Sequence, residues 1–198
     1  MKGGTLFFFG GLGMKNTYFF GYFPFITVVL FSLSFGLYCE IKLLDLFDSL
    51  GLYQGMLEFF SETGIKIALL VVMFLVFFML FSALKLLLDT MVEMSLLLFS
   101  KDSEGTGLKS IRMGTIIYVV GATVSLVSTQ SIMGLLVIFL LTNVAAFIYF
   151  VYKVSTNLSL LGLIGLIFFH IFIWSIFLLV VAYSVLKLYN SIINSLPI

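Results

Sequence analysis

His170 is the only histidine in the 198-residue sequence, and it stands in the middle of a run without acidic or basic residues from Leu158 to Leu186. An imidazole can accept, donate or carry a proton near neutral pH. Inside a bilayer such a group is costly enough to imply a task, a proton relay or a ligand contact. Trp174 follows four residues later, on the same helical face. The competing reading is a neutral ring hydrogen-bonded to a neighbouring helix, since no acidic partner stands at its depth to make a relay.

Asn143, beside Thr142, lies near the centre of a second uncharged stretch, Ile132 to Tyr152. At a helical rise of about 1.5 Å per residue, its depth matches that of His170. Lipid offers neither side chain a hydrogen-bond partner, so both are expected to face the bundle interior and to meet each other or hydroxyls such as Ser125 or Ser175. Bonds of this kind average about 0.6 kcal/mol and serve mainly to fix packing, with a polar permeation path or ligand site as the alternative. His170, Asn143, Thr142 and Trp174 thus form the candidate intramembrane polar site.

Lys85, Asp89 and Glu93 recur at i, i+4 and i+8 on one helical face and form a candidate interfacial charge cluster. Lys85 is expected to snorkel towards the membrane surface and pair with Asp89; coupling or gating is the functional alternative. Enzyme signatures are missing where they would be needed. The sequence has no H-E-x-x-H, Cys/His metal cluster, P-loop or G-x-S-x-G elbow, and its single Arg112 supplies no phosphate clamp. The expectation is therefore a protein that is not an enzyme, with no catalytic, cofactor or metal site. The lone Cys39 excludes an intramolecular disulfide. Ten basic residues against nine acidic ones argue against nucleic-acid binding.

The elements that must hold these groups follow from composition. Hydrophobic residues make up 62% of the chain and charged residues only 10%, where a soluble domain carries about 25% charged residues. Such a chain cannot cover a water-facing surface and belongs in a bilayer. A spanning helix needs roughly 20 apolar residues. On that criterion the expected fold is all-α, an integral membrane bundle of five transmembrane helices over residues 18–38, 67–84, 110–127, 132–152 and 158–186. Between the third and fourth, Ser128-Thr129-Gln130-Ser131 and then Gly134 turn the chain. Gly114, Gly121, Ser125 and Ser128 line one face of the third span, and Gly162 with Gly165 lighten the start of the fifth; small residues there let backbones approach.

Orientation follows from Lys and Arg. With the N-terminus in the cytoplasm, Lys2, Lys15, Lys85, Lys101, Lys109, Arg112 and Lys153 lie inside and Lys42, Lys66 and Lys187 outside. The C-terminus is then exterior. The outer segment, about Glu40 to Lys66, is acidic yet keeps Leu43, Leu44, Phe47 and Leu50 at helical spacing, so it is expected to be amphipathic, helical and laid over the mouth of the bundle. Residues 1–13 are rich in Gly and Phe and precede Met14-Lys15-Asn16, which reads as an ordinary bacterial N-terminus. They are expected to be a mis-assigned extension of a single membrane domain, residues 14–198.

Four strings resemble the YufK family of small bacterial membrane proteins: Met14 to Tyr18 with Gly21-Tyr22-Phe23-Pro24, Gly51 to Ser61, Phe77 to Lys85, and Phe99 to Gly105. The resemblance covers nearly all the chain after residue 13. It implies a multi-pass plasma-membrane protein of a Gram-positive-type bacterium, supports Met14 as the start, and transfers no catalytic or binding residue, because that family has no assigned activity. The expected function is that of a non-enzymatic accessory or partner-binding membrane protein. Its partners are the lipid bilayer and either further copies of itself or another membrane protein, not nucleic acid. The rival is a small transporter or channel, assembled as a dimer around a polar site between spans four and five. A wet polar cavity there would favour the rival, and a dry, tightly packed bundle the accessory role.

Overall fold

The computed structural model describes residues 21–100 and 111–195. The proposed extension at 1–13, the first residues of the first span, Ser110, and the basic residues Lys2, Lys15, Lys101 and Lys109 lie outside the described residues.

The described chain is helical, without a strand. Helix α1 is Phe23–Ser49, with Pro24 in its first turn, where the missing N–H leaves nothing unbonded. It closes at Gly51, whose φ of 71° is left-handed, with Gly51 N–H donating to Asp48 O at 2.9 Å and Leu50 N–H to Leu46 O at 3.1 Å. A side chain with a Cβ would be strained at that position. The short α2, Leu52–Leu57, leads to α3, Glu62–Phe99. After a 3-10 turn at Arg112–Gly114 come α4, Thr115–Ser125, prolonged by a second 3-10 turn, and α5, Ile132–Val154. A third such turn, Ser155–Asn157, precedes α6, Leu160–Ser195.

Three helices start on the same Ser-x-x-Gly device. The Ser61, Ser131 and Ser159 hydroxyls accept from the N–H of Gly64, Gly134 and Gly162 at 3.2, 3.3 and 3.2 Å, satisfying one of the orphan donors of each first turn.

Among the described residues four helices are long and apolar enough to cross a membrane: Phe23–Ser49, Glu62–Phe99, Ile132–Asn157 and Leu160–Ser191. The third expected span is the exception, because its apolar helix, Thr115–Ser128, is shorter. The first span also differs from expectation. It does not stop at Tyr38, since no Gly or Pro interrupts the chain before Gly51, and the helix runs on to Ser49. Leu43, Leu44 and Phe47 therefore belong to a C-terminal extension of α1. Leu46, Leu50, Leu52, Phe59 and Phe60 remain exposed and α2 buries no residue, so this segment rises from the bundle and does not close over it.

α1 is the central helix, burying Thr27, Val28, Phe31, Ser32, Ser34, Phe35 and Gly36 against α3, α4 and α5. Its packing is aromatic. Phe31 and Phe35 from α1, Phe77 and Phe81 from α3 and Phe139 from α5 interlock, with Phe35–Phe81, Phe31–Phe139 and Phe81–Phe139 centroids 5.2, 5.3 and 5.4 Å apart. In lipid, apolar burial alone does not drive helices together, so such pairs act through dispersion and ring geometry, each contributing about 0.5–1.5 kcal/mol. Gly36 brings α1 close to α3, since a Cβ there would stand 3.2 Å from the Phe74 backbone nitrogen.

α4 and α5 form an antiparallel pair whose register is written in small residues. A Cβ at Gly114 would meet the Tyr149 ring at 3.0 Å, one at Gly121 would collide with the Thr142 side chain, and one at Gly134 with the Ser128 hydroxyl. The stripe expected to be a packing face is one. Gly162 and Gly165 seat Phe99, with a Cβ at Gly165 falling 2.5 Å from its ring. A second apolar cluster, Phe150, Val154 and Leu166, gathers Val92, Leu96, Phe99 and Phe147 around this junction of α3, α5 and α6. Beyond His170, α6 is almost free of the bundle: Leu178, Leu179, Val180, Val185, Leu188 and Tyr189 are exposed.

Candidate functional site

His170 is delivered to the junction by α6 and is 4% exposed. Its Nδ1 lies 3.1 Å from Leu166 O, one turn earlier. A carbonyl can only accept, so Nδ1 carries the proton and Nε2 is left as a bare acceptor. Nε2 is buried and has no hydrogen-bond partner. Its surroundings are aromatic, with the Phe147, Phe150 and Phe169 centroids 5.2, 5.5 and 6.0 Å from the imidazole.

Asn143 is half-buried on α5, and its Nδ2 donates to Phe139 O of its own helix at 2.8 Å. Thr142 is buried and donates to Ile138 O at 2.7 Å, its side chain filling the space left by Gly121. Trp174 sits edge-on to Phe177 at 5.6 Å. The hydrogen bond expected between His170 and Asn143 is not made. The α5 residues that reach His170 are Phe147 and Phe150, one to two turns from Asn143. Depth counted along the sequence is thus about a turn in error, and each polar group turns back on its own backbone. Of the two hydroxyls named as partners, Ser175 bonds to Ile171 O at 2.7 Å and Ser125 bonds elsewhere.

Ser125 meets Ser34, with their Oγ atoms 2.7 Å apart and both residues fully buried. Ser125 also reaches Ala122 O at 2.7 Å and Ser34 reaches Leu30 O at 3.0 Å, so one hydroxyl donates to the other and the second to a carbonyl. Sequence reasoning passed over Ser34, though a Ser two residues before Gly36 on a span of Phe and Leu marks a close-approach face.

At the α3 extension Lys85 pairs with Asp89, while Glu93 is exposed and makes no ion pair among the described residues. The Lys153 ammonium lies 5.7 Å over the Tyr149 ring, a cation–π contact at the end of α5. Among the described residues no group of three His, Cys, Asp or Glu side chains is placed to hold a metal ion.

Phe147 and Ile167 also wall a groove of about 410 Å³ between α5 and α6, completed by Ile148, Val151, Tyr152 and Ser155. A second depression, about 580 Å³, lies along the C-terminal half of α6 over Tyr183, Lys187, Asn190, Ser191 and Asn194.

Residues 40–197 match the model of a family of unknown function (DUF5366). The uncharacterized membrane protein YufK of Bacillus subtilis (strain 168) is 42% identical over 185 residues, which is 93% of this chain and 100% of that protein. This chain belongs to the DUF5366 family. Its YufK relative is a membrane protein by its printed name, in keeping with the four long apolar helices seen here. No solved structure matches the chain. Membership in DUF5366 brings no assigned activity, so the residues themselves must carry any functional reading.

Proposed function

We propose that this DUF5366 protein is a non-enzymatic, five-span plasma-membrane protein that works by binding a membrane partner, with its N-terminus in the cytoplasm and its C-terminus outside. The observation that carries this reading is the division between its interior and its flank. The interior is filled by interlocked Phe rings and by hydroxyls bonded to their own helices or, for Ser34 and Ser125, to each other, whereas α6 offers an exposed face from Ile171 onwards. The charge bias of the sequence supports the orientation. Support for a fifth span comes from the register of α4 on α5: Gly114 stands level with Tyr149, one turn from Lys153, so this short helix begins near an interfacial belt and runs to the opposite turn at Ser131.

The experiment places a photo-crosslinking residue at Leu179 or Val185, with Leu135 in the buried core as control, in native membranes. A discrete adduct from the two exposed positions and none from the core is expected. The rival transporter reading draws on the buried, half-bonded His170. Ion or proton flux through liposomes holding this protein alone would overturn the partner-binding proposal in its favour.

A further inference from the structure

Among the described residues His170 Nε2 is the one buried side-chain polar atom with no hydrogen-bond partner, and a neutral ring in lipid cannot borrow a donor from its surroundings. Leaving such a group unmet costs free energy that a ligand can recover. Nδ1 is tied to Leu166 on α6 and the imidazole packs on Phe147 and Phe150 of α5, which leaves Nε2 as the free nitrogen at this junction of the two helices. The groove between these helices shares a wall residue with this junction. Phe147 belongs to both: its ring centroid lies 5.2 Å from the imidazole and its side chain lines the groove, and Ile167, also in the wall, lies one turn before His170. Its volume, about 410 Å³, falls in the range of about 300–1,000 Å³ typical of small-molecule sites. The wall is apolar along Phe147, Ile148, Val151 and Ile167 and polar only at Tyr152 and Ser155, beside Lys153 at the end of α5.

We infer that this groove binds a lipid-soluble ligand built as a flat aromatic ring bearing an O–H donor, of the hydroquinone class, whose hydroxyl donates to His170 Nε2 once the Phe147 ring rotates aside. The chemistry selects the class. A bare acceptor requires a donor, so an alcohol or phenol fits and an ether or ketone does not. The groove's two aromatic residues, Phe147 and Tyr152, offer ring faces to a flat ligand, and its apolar wall with the exposed Ile148 and Tyr152 admits an apolar body. No bond is made or broken, and the inference does not rest on the partner-binding reading.

A single histidine makes the test direct. The full chain, ¹⁵N-labelled at histidine and held in nanodiscs, is titrated with a short-chain alkyl hydroquinone kept reduced, and in parallel with its dimethyl ether. The free protein should show a protonated Nδ1 and a non-bonded Nε2. The hydroquinone should move the Nε2 resonance to a hydrogen-bonded value with Nδ1 unchanged, and should bind about tenfold more tightly than the ether. Ile148→Trp, at an exposed wall position, should abolish the response while leaving the free-protein resonances in place. The inference is overturned if Nε2 is unmoved at saturating hydroquinone, if the ether shifts it equally, or if Nε2 of the free protein is already bonded, to water.

Discussion

Ser34 Oγ and Ser125 Oγ lie 2.7 Å apart, a side-chain bond that ties the central helix α1 to α4 across 91 residues of sequence. Each serine also has a carbonyl of its own helix within reach, so removing one hydroxyl leaves the other satisfied. Ser34→Ala and Ser125→Ala should each cost under about 1 kcal/mol, with a coupling of about 0.6 kcal/mol in the double-mutant cycle. Reversible unfolding in mixed micelles measures it. A coupling of zero would mean that the two hydroxyls do not meet.

Gly121 is a harsher position. A Cβ there collides with Thr142, deep between α4 and α5, where neither backbone can easily retreat. Gly121→Ala should destabilise by about 1–3 kcal/mol, the usual penalty of overpacking, and Thr142→Ala in the same chain should restore part of it. Equal losses in the single and double variants would place the clash elsewhere.

His170→Leu replaces a half-bonded imidazole by an apolar side chain of similar bulk. Because Nε2 has no partner, the loss is only the bond to Leu166 O, and removing a buried unmet acceptor offsets it. Thermal stability in detergent should stay within about 1 kcal/mol of the parent. A loss of several kcal/mol would show that Nε2 is bonded in the membrane.

For topology, reporter fusions after Ser103 should read as cytoplasmic and fusions after Gly55 or Ile198 as exterior, following the basic residues. If the Gly55 and Ser103 fusions report one side, then α3 does not cross.

Hydropathy and punctuation made much of this architecture legible. The long apolar runs became helices, and the polar group before Gly134 became the turn between α4 and α5, because apolar length and helix-start chemistry are local properties. The stripe of Gly114, Gly121 and Ser125 was legible too, since only a close neighbour gives small residues a purpose in lipid. What stayed hidden was azimuth. The sequence has 24 Phe residues, and nothing local distinguishes Phe35, Phe81 and Phe139, which interlock, from Phe25 and Phe168, which face outward. The same blindness paired His170 with Asn143. Depth can be counted along a helix, but rotation about its axis, and a shift of one turn between neighbours, are set by packing partners far away in the chain.

The seating of Phe99 on Gly162 and Gly165 holds α6 at one end only. From His170 to Ser195, at about 1.5 Å per residue, the helix is a lever of roughly 37 Å, and a swing of about 10° at the clasp carries its tip through some 6 Å, roughly the width of a lipid chain. A helix braced along its length takes its tilt from its neighbours; one braced at its foot takes it from the thickness of the bilayer around it. The angle of α6, and with it the height of Lys187, Asn190 and Asn194, should therefore follow the thickness of the membrane in which the protein sits.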